Sequence, residues 1–145
     1  MRFYIGSDHA GFAIKAFTCD YLSSKGYEVI DLGANSTDRV DYPDYAKKVA
    51  DAVVGDKGSF GILICGTGIG MSIAANKVNG IRAAHCNDYY TAQMARAHND
   101  ANILCFGERV SGMGVIESML DAFINTDYEG GRHKNRVEKI MSLEK

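Results

Sequence analysis

Two residues of the sequence, Cys65 and His98, carry side chains suited to moving protons near neutral pH. Cys65 ends a continuous apolar run and precedes a glycine-rich segment that leads into a helical pattern. A thiol beside the N-terminus of a helix ionises more readily than a free thiol, so Cys65 could act as a nucleophile or general base. Histidine is the usual acid or base at neutral pH, which suits His98 to a second proton transfer. The structural alternatives are a small core cysteine and a histidine that ends a helix.

The segment Gly66-Thr67-Gly68-Ile69-Gly70 has the composition of an anion-binding loop without the spacing of a nucleotide-binding one. Glycines let a ligand approach the backbone closely, and successive N–H groups before a helix attract negative charge. A dinucleotide fingerprint needs G-x-G-x-x-G and a P-loop needs G-x-x-x-x-G-K-[ST], and neither is present. Two interpretations remain: a loop that binds an anion or an enolate, and a tight turn without a ligand.

Polar residues also follow the first predicted strand and the fourth predicted helix. Asp8 and His9 lie in the turn after the strand, where they could touch a ligand, although Asp8 is also a good helix N-cap. Asn99 follows His98 directly after the helix. His85 lies inside a strand pattern and is interpreted as structural.

Three arginines are candidate phosphate ligands. Arg132 and Arg136 are four residues apart, which places them on one face of a helix, and their planar donor forks could hold a phosphate from two sides. Arg109 follows the fifth predicted strand. The alternative is an ordinary solvated surface helix, as most charged segments are. Two glycines before Arg132 suggest that this basic tail is aimed at a specific target such as another subunit.

Composition excludes several classes of protein. The chain has 145 residues with a net charge of −2, which fits one domain and argues against nucleic acid as the main partner. No apolar run is long enough to cross a membrane, and Met1 is not followed by an export signal, so a cytoplasmic protein is expected. The four cysteines lack zinc-site spacing and are expected to be reduced thiols.

Strand and helix patterns alternate along the whole chain. The predicted strands are Phe3–Ser7, Glu28–Leu32, Phe60–Cys65, Ile81–Cys86 and Asn102–Phe106. Helices are predicted over Gly11–Lys25, from Pro43 to Gly55, over Met71–Lys77, over Asp88–Ala97, around Val115–Ile124, and from Gly131 to the end. This order predicts a single α/β domain over residues 1–145 with a doubly wound, Rossmann-like, five-stranded parallel sheet. Helices should cover both faces, and a helical tail should follow. Ligands of such sheets bind at the carboxyl ends of the strands.

The sequence resembles type B ribose-5-phosphate isomerases, in the family that also contains galactose- and allose-6-phosphate isomerase subunits. The resemblance covers essentially the whole chain. It rests on five ordered motifs: Gly6-Ser7-Asp8-His9-Ala10-Gly11, Asp41-Tyr42-Pro43-Asp44-Tyr45-Ala46, Ile62–Gly70, Ala97-His98-Asn99-Asp100-Ala101-Asn102, and Tyr128–His133 with Arg136.

The resemblance implies an aldose–ketose isomerase. Cys65 would be the general base, and the N–H groups of the loop from Gly66 to Gly70 would stabilise an enediolate. Thr67 would position Cys65 or a substrate hydroxyl. His98 would open the furanose ring, with Asp8 assisting or holding the substrate. One branch of the family uses a carboxylate a few residues further along instead of the thiol, and residues 71–74 contain no acid.

The resemblance also implies how the substrate is held. The phosphate would be bound by His9, Arg109, Arg132 and Arg136, and a hydroxyl by Asn99. The site would lie at the interface of a homodimer and draw on both chains, with assembly into tetramers left open. No metal or organic cofactor is implied.

Other functions remain as alternatives to isomerisation of ribose 5-phosphate. A six-carbon sugar phosphate such as allose 6-phosphate or galactose 6-phosphate could be the substrate. The glycine loop on an α/β fold also fits a non-catalytic phosphate- or nucleotide-binding module. A redox or acyl-transfer role for Cys65 is a third hypothesis, although no second cysteine lies near it in the sequence.

Overall fold

The computed structural model describes residues 1–145 as one α/β domain. Five parallel strands lie in the order β2-β1-β3-β5-β4. The strands are β1 (Arg2–Ser7), β2 (Glu28–Asp31), β3 (Phe60–Cys65), β4 (Ala83–His85) and β5 (Ile103–Gly107). The helices are α1 (Phe12–Ser24), α2 (Tyr42–Val54), α3 (Ile69–Ala75), α4 (Tyr89–Ala97), α5 (Met113–Asn125) and α6 (Arg132–Met141), and a short 3₁₀ turn (His9–Gly11) precedes α1. The predicted fold class is therefore confirmed.

Helices cover both faces of the sheet, because the central strands are apolar on both sides. In β3, Ile62 and Ile64 point into one core with residues of α1, α4 and α5. Leu63 and Cys65 point to the opposite face, into a second core with residues of α2 and α3. Successive side chains of a strand alternate between faces, so this one strand anchors both layers.

The register of the sheet brings the carboxyl ends of its three central strands together. Ser7 pairs with Ile64 across β1 and β3, and Cys65 pairs with Gly107 across β3 and β5. The chain leaves β1 toward β2 on one side and continues with β3 on the other, so the strand order reverses between β1 and β3. A crevice at the carboxyl ends is expected at such a point.

Every predicted element except β3 differs from the structure at one end or both, mostly by one or two residues, and the last helix ends at Met141 instead of continuing to the end of the chain. Two of the differences have a visible cause. The strand predicted over Ile81–Cys86 is only Ala83–His85, because β4 is an edge strand and the Arg82 N–H donates to the Asn102 side chain instead of a strand partner. The helix predicted over Met71–Lys77 begins earlier, at Ile69, and ends at Ala75. Gly68 has a φ of 84°, a left-handed turn that starts the helix immediately after the loop.

The final helix, α6, extends the chain beyond the two helical layers. It buries only His133 and Val137, and the residues that follow it reach the loop before β4, where the Gly80 N–H donates to the Glu144 carboxylate at 2.7 Å. The predicted C-terminal helical tail is thus present. None of the helices has the length and apolar character needed to span a bilayer.

Candidate functional site

Three loops meet at the carboxyl edge of the sheet, each from the end of a central strand. Asp8 and His9 follow β1, the glycine loop of residues 66–70 follows β3, and Arg109 lies two residues beyond β5. Backbone hydrogen bonds tie the loops together: the Asp8 N–H donates to the Ile64 carbonyl at 3.2 Å, and the Arg109 N–H donates to the Gly66 carbonyl at 3.0 Å. The structure brings these predicted site residues into one cluster.

Cys65 is buried at the mouth of the glycine loop, with 6% of its surface exposed. Its Sγ accepts a hydrogen bond from the Gly68 N–H at 3.0 Å. The thiol therefore contacts the backbone of the loop and is at the same time a small residue of the second core.

The other three cysteines lie in different surroundings. All four are free thiols. Burial raises the pKa of Cys19 and of Cys86 to about 11 each, and burial raises the pKa of Cys105 well above its ordinary value. These three thiols stay protonated near neutral pH, so none of them is a candidate base.

The backbone of the glycine loop is packed too closely to accept side chains. A Cβ on Gly68 would lie 2.8 Å from the backbone of Phe106, and one on Gly107 would lie 2.5 Å from the backbone of Thr67. Thr67 is exposed, and its Oγ1 accepts the Ile69 N–H at 3.2 Å. The N–H groups of Thr67 and Gly70 have no acceptor within the chain. The loop can therefore offer backbone donors to an anion.

Asp8 and His9 are held by hydrogen bonds to the backbone. The Asp8 carboxylate accepts from the Ala10 N–H at 2.9 Å and the Gly11 N–H at 3.1 Å, so its predicted role as an N-cap is confirmed. His9 accepts the Val40 N–H through Nδ1 at 3.2 Å, which leaves Nε2 as its proton-bearing nitrogen. Both side chains are positioned before any ligand arrives.

Three side chains surround the loop, and the residue patterns pointed to only one of them, Arg109. The Arg109 guanidinium lies over Gly66, within 3.2 Å of the position that a Cβ would take there. Tyr42, at the start of α2, packs its ring against Gly70, and a Cβ on Gly70 would lie 2.5 Å from that ring. His85 lies with Nε2 2.8 Å from the Thr67 carbonyl oxygen, so Nε2 must donate. In the sequence, Tyr42 stood out only as part of the family motif that begins at Asp41. His85 supports the loop through its hydrogen bond to Thr67, which agrees with its predicted structural role.

The other predicted residues lie at the opposite, amino edge of the sheet. His98 ends α4, and its ring stacks on that of His133 in α6 with centroids 4.1 Å apart. The Glu129 carboxylate lies 3.8 Å from His98 Nε2 and 3.5 Å from His133 Nε2. Burial, followed by His98 and Arg132, lowers the pKa of His133. Sequence reasoning assigned no role to Glu129 or His133, because nothing local links them to His98.

Asn99, Arg132 and Arg136 are exposed beside this histidine pair. A surface groove also lies at the amino edge, between the loop before β4 and the C-terminal tail. It encloses about 670 Å³ and is lined by Asn99 but not by Cys65 or His98. This groove is therefore distinct from the cluster of predicted site residues at the carboxyl edge.

A single chain does not bring the two halves of the predicted site together. Helix α4 starts at the carboxyl edge and runs back along the sheet, so His98 lies just before β5 and Arg109 just after it. β5 has five residues, which separates the edges by about 13 Å at ~3.3 Å per residue. Cys65 and His98 thus face opposite ends of the molecule.

Comparisons with known proteins cover nearly the whole chain. Residues 3–140 match the family described as Ribose/Galactose Isomerase. The chain is 52% identical over 139 residues to ribose-5-phosphate isomerase B of Escherichia coli K12, which covers 96% of this chain and 93% of that protein. It is 46% identical over 145 residues to a putative sugar phosphate isomerase of Bacillus subtilis, and the match covers 99% of this chain and 97% of that protein.

Solved structures give the same result. Clostridium thermocellum ribose-5-phosphate isomerase B superposes with a TM-score of 0.97 at 51% identity, covering 99% of this chain and 97% of that one. Type B ribose 5-phosphate isomerase of Trypanosoma brucei superposes with a TM-score of 0.95 at 51% identity, covering 99% of this chain and 98% of that one.

Proposed function

This chain belongs to the ribose/galactose isomerase family, and we propose that it interconverts ribose 5-phosphate and ribulose 5-phosphate. The observation that carries the proposal is Cys65 at the mouth of a close-packed glycine loop, with its Sγ 3.0 Å from the Gly68 nitrogen. A base and free backbone donors then lie side by side. Proton abstraction next to a carbonyl needs this pair, because negative charge develops on the carbonyl oxygen.

Proton transfer between the two carbons is assigned to Cys65. Its thiolate takes the proton from C2 of the open-chain aldose, and the electrons of that bond form the enediolate. The resulting thiol returns the proton to C1, while the O2 proton moves to O1, which yields the ketose. The N–H groups of Thr67 and Gly70, which have no acceptor within the chain, stabilise the oxyanion. The Thr67 hydroxyl and Asp8 position the substrate.

Ring opening is assigned to His98 of a second subunit. His98 lies at the amino edge, across the molecule from Cys65, so one chain cannot supply both groups to one sugar. A homodimer with two-fold symmetry places the amino edge of each subunit against the carboxyl edge of its partner and forms two identical sites. His98 then protonates the ring oxygen, and Asn99 binds a hydroxyl from the same edge.

Binding of the phosphate is shared between the edges in the same way. His9 and Arg109 approach from the carboxyl edge, and Arg132 and Arg136 approach from the partner's amino edge. The two α6 arginines are exposed in the single chain, with their planar forks available for a bidentate contact.

The reaction class is tested with purified protein in the presence of EDTA and without an added cofactor. Formation of ribulose 5-phosphate from ribose 5-phosphate is the expected result. Allose 6-phosphate and galactose 6-phosphate are assayed in parallel, since the family description includes galactose. Turnover of a six-carbon substrate alone would replace the proposed substrate, and no turnover of any of the three would overturn the proposal.

The shared site is tested by mixing two inactive variants, Cys65→Ala and His98→Ala. Unfolding and refolding the mixture yields mixed dimers in which one site has both wild-type residues. Random pairing should restore about a quarter of the wild-type activity. Each variant refolded alone is the control. If the mixture stays as inactive as the controls, the two residues do not act across an interface.

A further inference from the structure

We propose that His85 is a positioning residue for Cys65 and acts through one peptide unit of the glycine loop. This unit consists of the Thr67 carbonyl and the Gly68 N–H. His85 Nε2 lies 2.8 Å from the Thr67 carbonyl oxygen. At the other end of the unit, the Gly68 N–H donates to Cys65 Sγ at 3.0 Å. The inference deepens the proposed function and rests on Cys65 being the base.

The geometry of the peptide unit couples its two hydrogen bonds. The bond between Thr67 and Gly68 is trans, and a peptide unit is planar, so its C=O and N–H point in opposite directions. The carbonyl is held toward the His85 ring. The N–H of the same unit is therefore held toward Cys65, on the opposite side.

Each end of the unit has a single partner within the chain. His85 Nε2 is the one donor to the Thr67 carbonyl oxygen, and the Gly68 N–H is the one donor to Cys65 Sγ. A carbonyl oxygen only accepts, so Nε2 must carry the proton. Both nitrogens of a charged imidazole also donate, so the contact persists when the His85 ring is protonated.

Glycine at position 68 makes the orientation of the unit adjustable. Gly68 has a φ of 84° and a ψ of −12°, close to the values of the third residue in a type II turn. A type I turn differs mainly by rotation of the central peptide through about 180°, and glycine adopts both. In the rotated form, Cys65 Sγ would lose its one donor and face a carbonyl oxygen, which opposes negative charge on the base. The donor on His85 favours the orientation that the reaction needs.

The fold brings the imidazole to the loop from the edge of the sheet. In the pairing of β4 with β5, His85 lies opposite Cys105. A Cβ on Gly68 would lie 2.9 Å from His85 Cδ2, the carbon bonded to Nε2, so the donating edge of the ring contacts the loop. His85 is half-buried and belongs to neither core. It can therefore be replaced without opening the interior.

The role is tested with two variants that differ in hydrogen-bond donation. His85→Leu removes the donor at similar volume, and the side-chain amide in His85→Gln can donate from the position of Nε2. With ribose 5-phosphate, His85→Leu should lower kcat about 10-fold or more, because the base is misplaced. KM should stay nearly unchanged, since the groups proposed to bind the phosphate remain. His85→Gln should recover most of kcat, which a role of the ring in packing alone does not predict.

The Gly68 amide reports the contact without turnover. Its hydrogen exchange is followed by ¹H–¹⁵N NMR. Exchange should be about 10-fold faster in His85→Leu, the typical effect of losing one hydrogen bond, and near the wild-type rate in His85→Gln. The amides of β3 are the internal control and should exchange at similar rates in all three proteins. Urea unfolding shows whether either variant is destabilised as a whole.

Contrary outcomes would overturn the role of His85. Unchanged kcat in His85→Leu would overturn it, and so would a fall in kcat without faster exchange of the Gly68 amide. Equal losses in His85→Leu and His85→Gln would show that donation is not what matters. If His85→Leu does not fold, His85→Ala replaces it, since alanine already occupies the two preceding positions of β4. If the wild-type protein turns over no sugar phosphate, the proposed function fails, and exchange of the Gly68 amide alone decides whether His85 orients the peptide unit.

Discussion

The two edges of the sheet present reactive groups in different ways. At the carboxyl edge, backbone atoms do most of the positioning, since the Gly68 N–H contacts the Cys65 sulfur and Gly107 leaves no room for a side chain. At the amino edge, side chains position one another, since His98 stacks on His133 beside Glu129. A packed backbone holds donors at fixed distances, as stabilisation of an oxyanion requires. A side-chain cluster can adjust to a partner subunit or to a ligand.

Removal of the thiol should have the largest effect. Cys65→Ala should lower kcat about 10²- to 10⁴-fold, the usual contribution of a general base, with little change in the fold. Cys19→Ala is the matched control, since Cys19 lies in α1 as a partly buried thiol whose pKa is raised to about 11. Steady-state kinetics on ribose 5-phosphate measures both. Wild-type turnover in Cys65→Ala would show that the thiol is not the base.

Alanine substitution of one glycine at each edge compares their packing. Gly68→Ala adds a Cβ 2.8 Å from the backbone of Phe106 at a φ of 84°, whereas Gly130→Ala meets no atom within 4 Å at a φ of 66°. The first should lower the free energy of unfolding by about 3 kcal/mol, from backbone strain and overlap together. The second should lower it by about 1 kcal/mol, from strain alone. Urea unfolding measures both, and equal losses would contradict the difference in packing.

The pH dependence of stability should report the amino edge. The pKa of His133 is lowered in the folded chain, first by burial, so near that pKa the unfolded chain binds more protons than the folded one. The contribution of neutral His133 is fully present above the unfolded pKa of about 6.5 and decreases as pH falls below it. Urea midpoints between pH 8 and 5 measure this slope. His133→Gln should reduce the slope and His85→Gln should not. An unchanged slope in His133→Gln would mean that other groups cause it.

Much of the fold followed from local patterns. The continuous apolar run of β3 predicted Phe60–Cys65 with the bounds that the structure has, because a strand buried on both faces has no polar positions. The edge strand β4 was predicted too long. Its ends are determined by pairing with β5 and by the contact of Arg82 with Asn102, and neither is encoded near Ile81.

The sequence by itself determined which groups are neighbours along the chain. Cys65 precedes its loop and Asp8 caps its own helix, because these contacts join residues only two or three positions apart. Only the tertiary structure decided that Cys65 and His98 lie at opposite edges. The helix between two parallel strands must run back along the sheet, which separates residues at its two ends. The tertiary structure also decided that Glu129 and His133 meet His98, since that contact depends on how the loop before α6 packs against the end of α4.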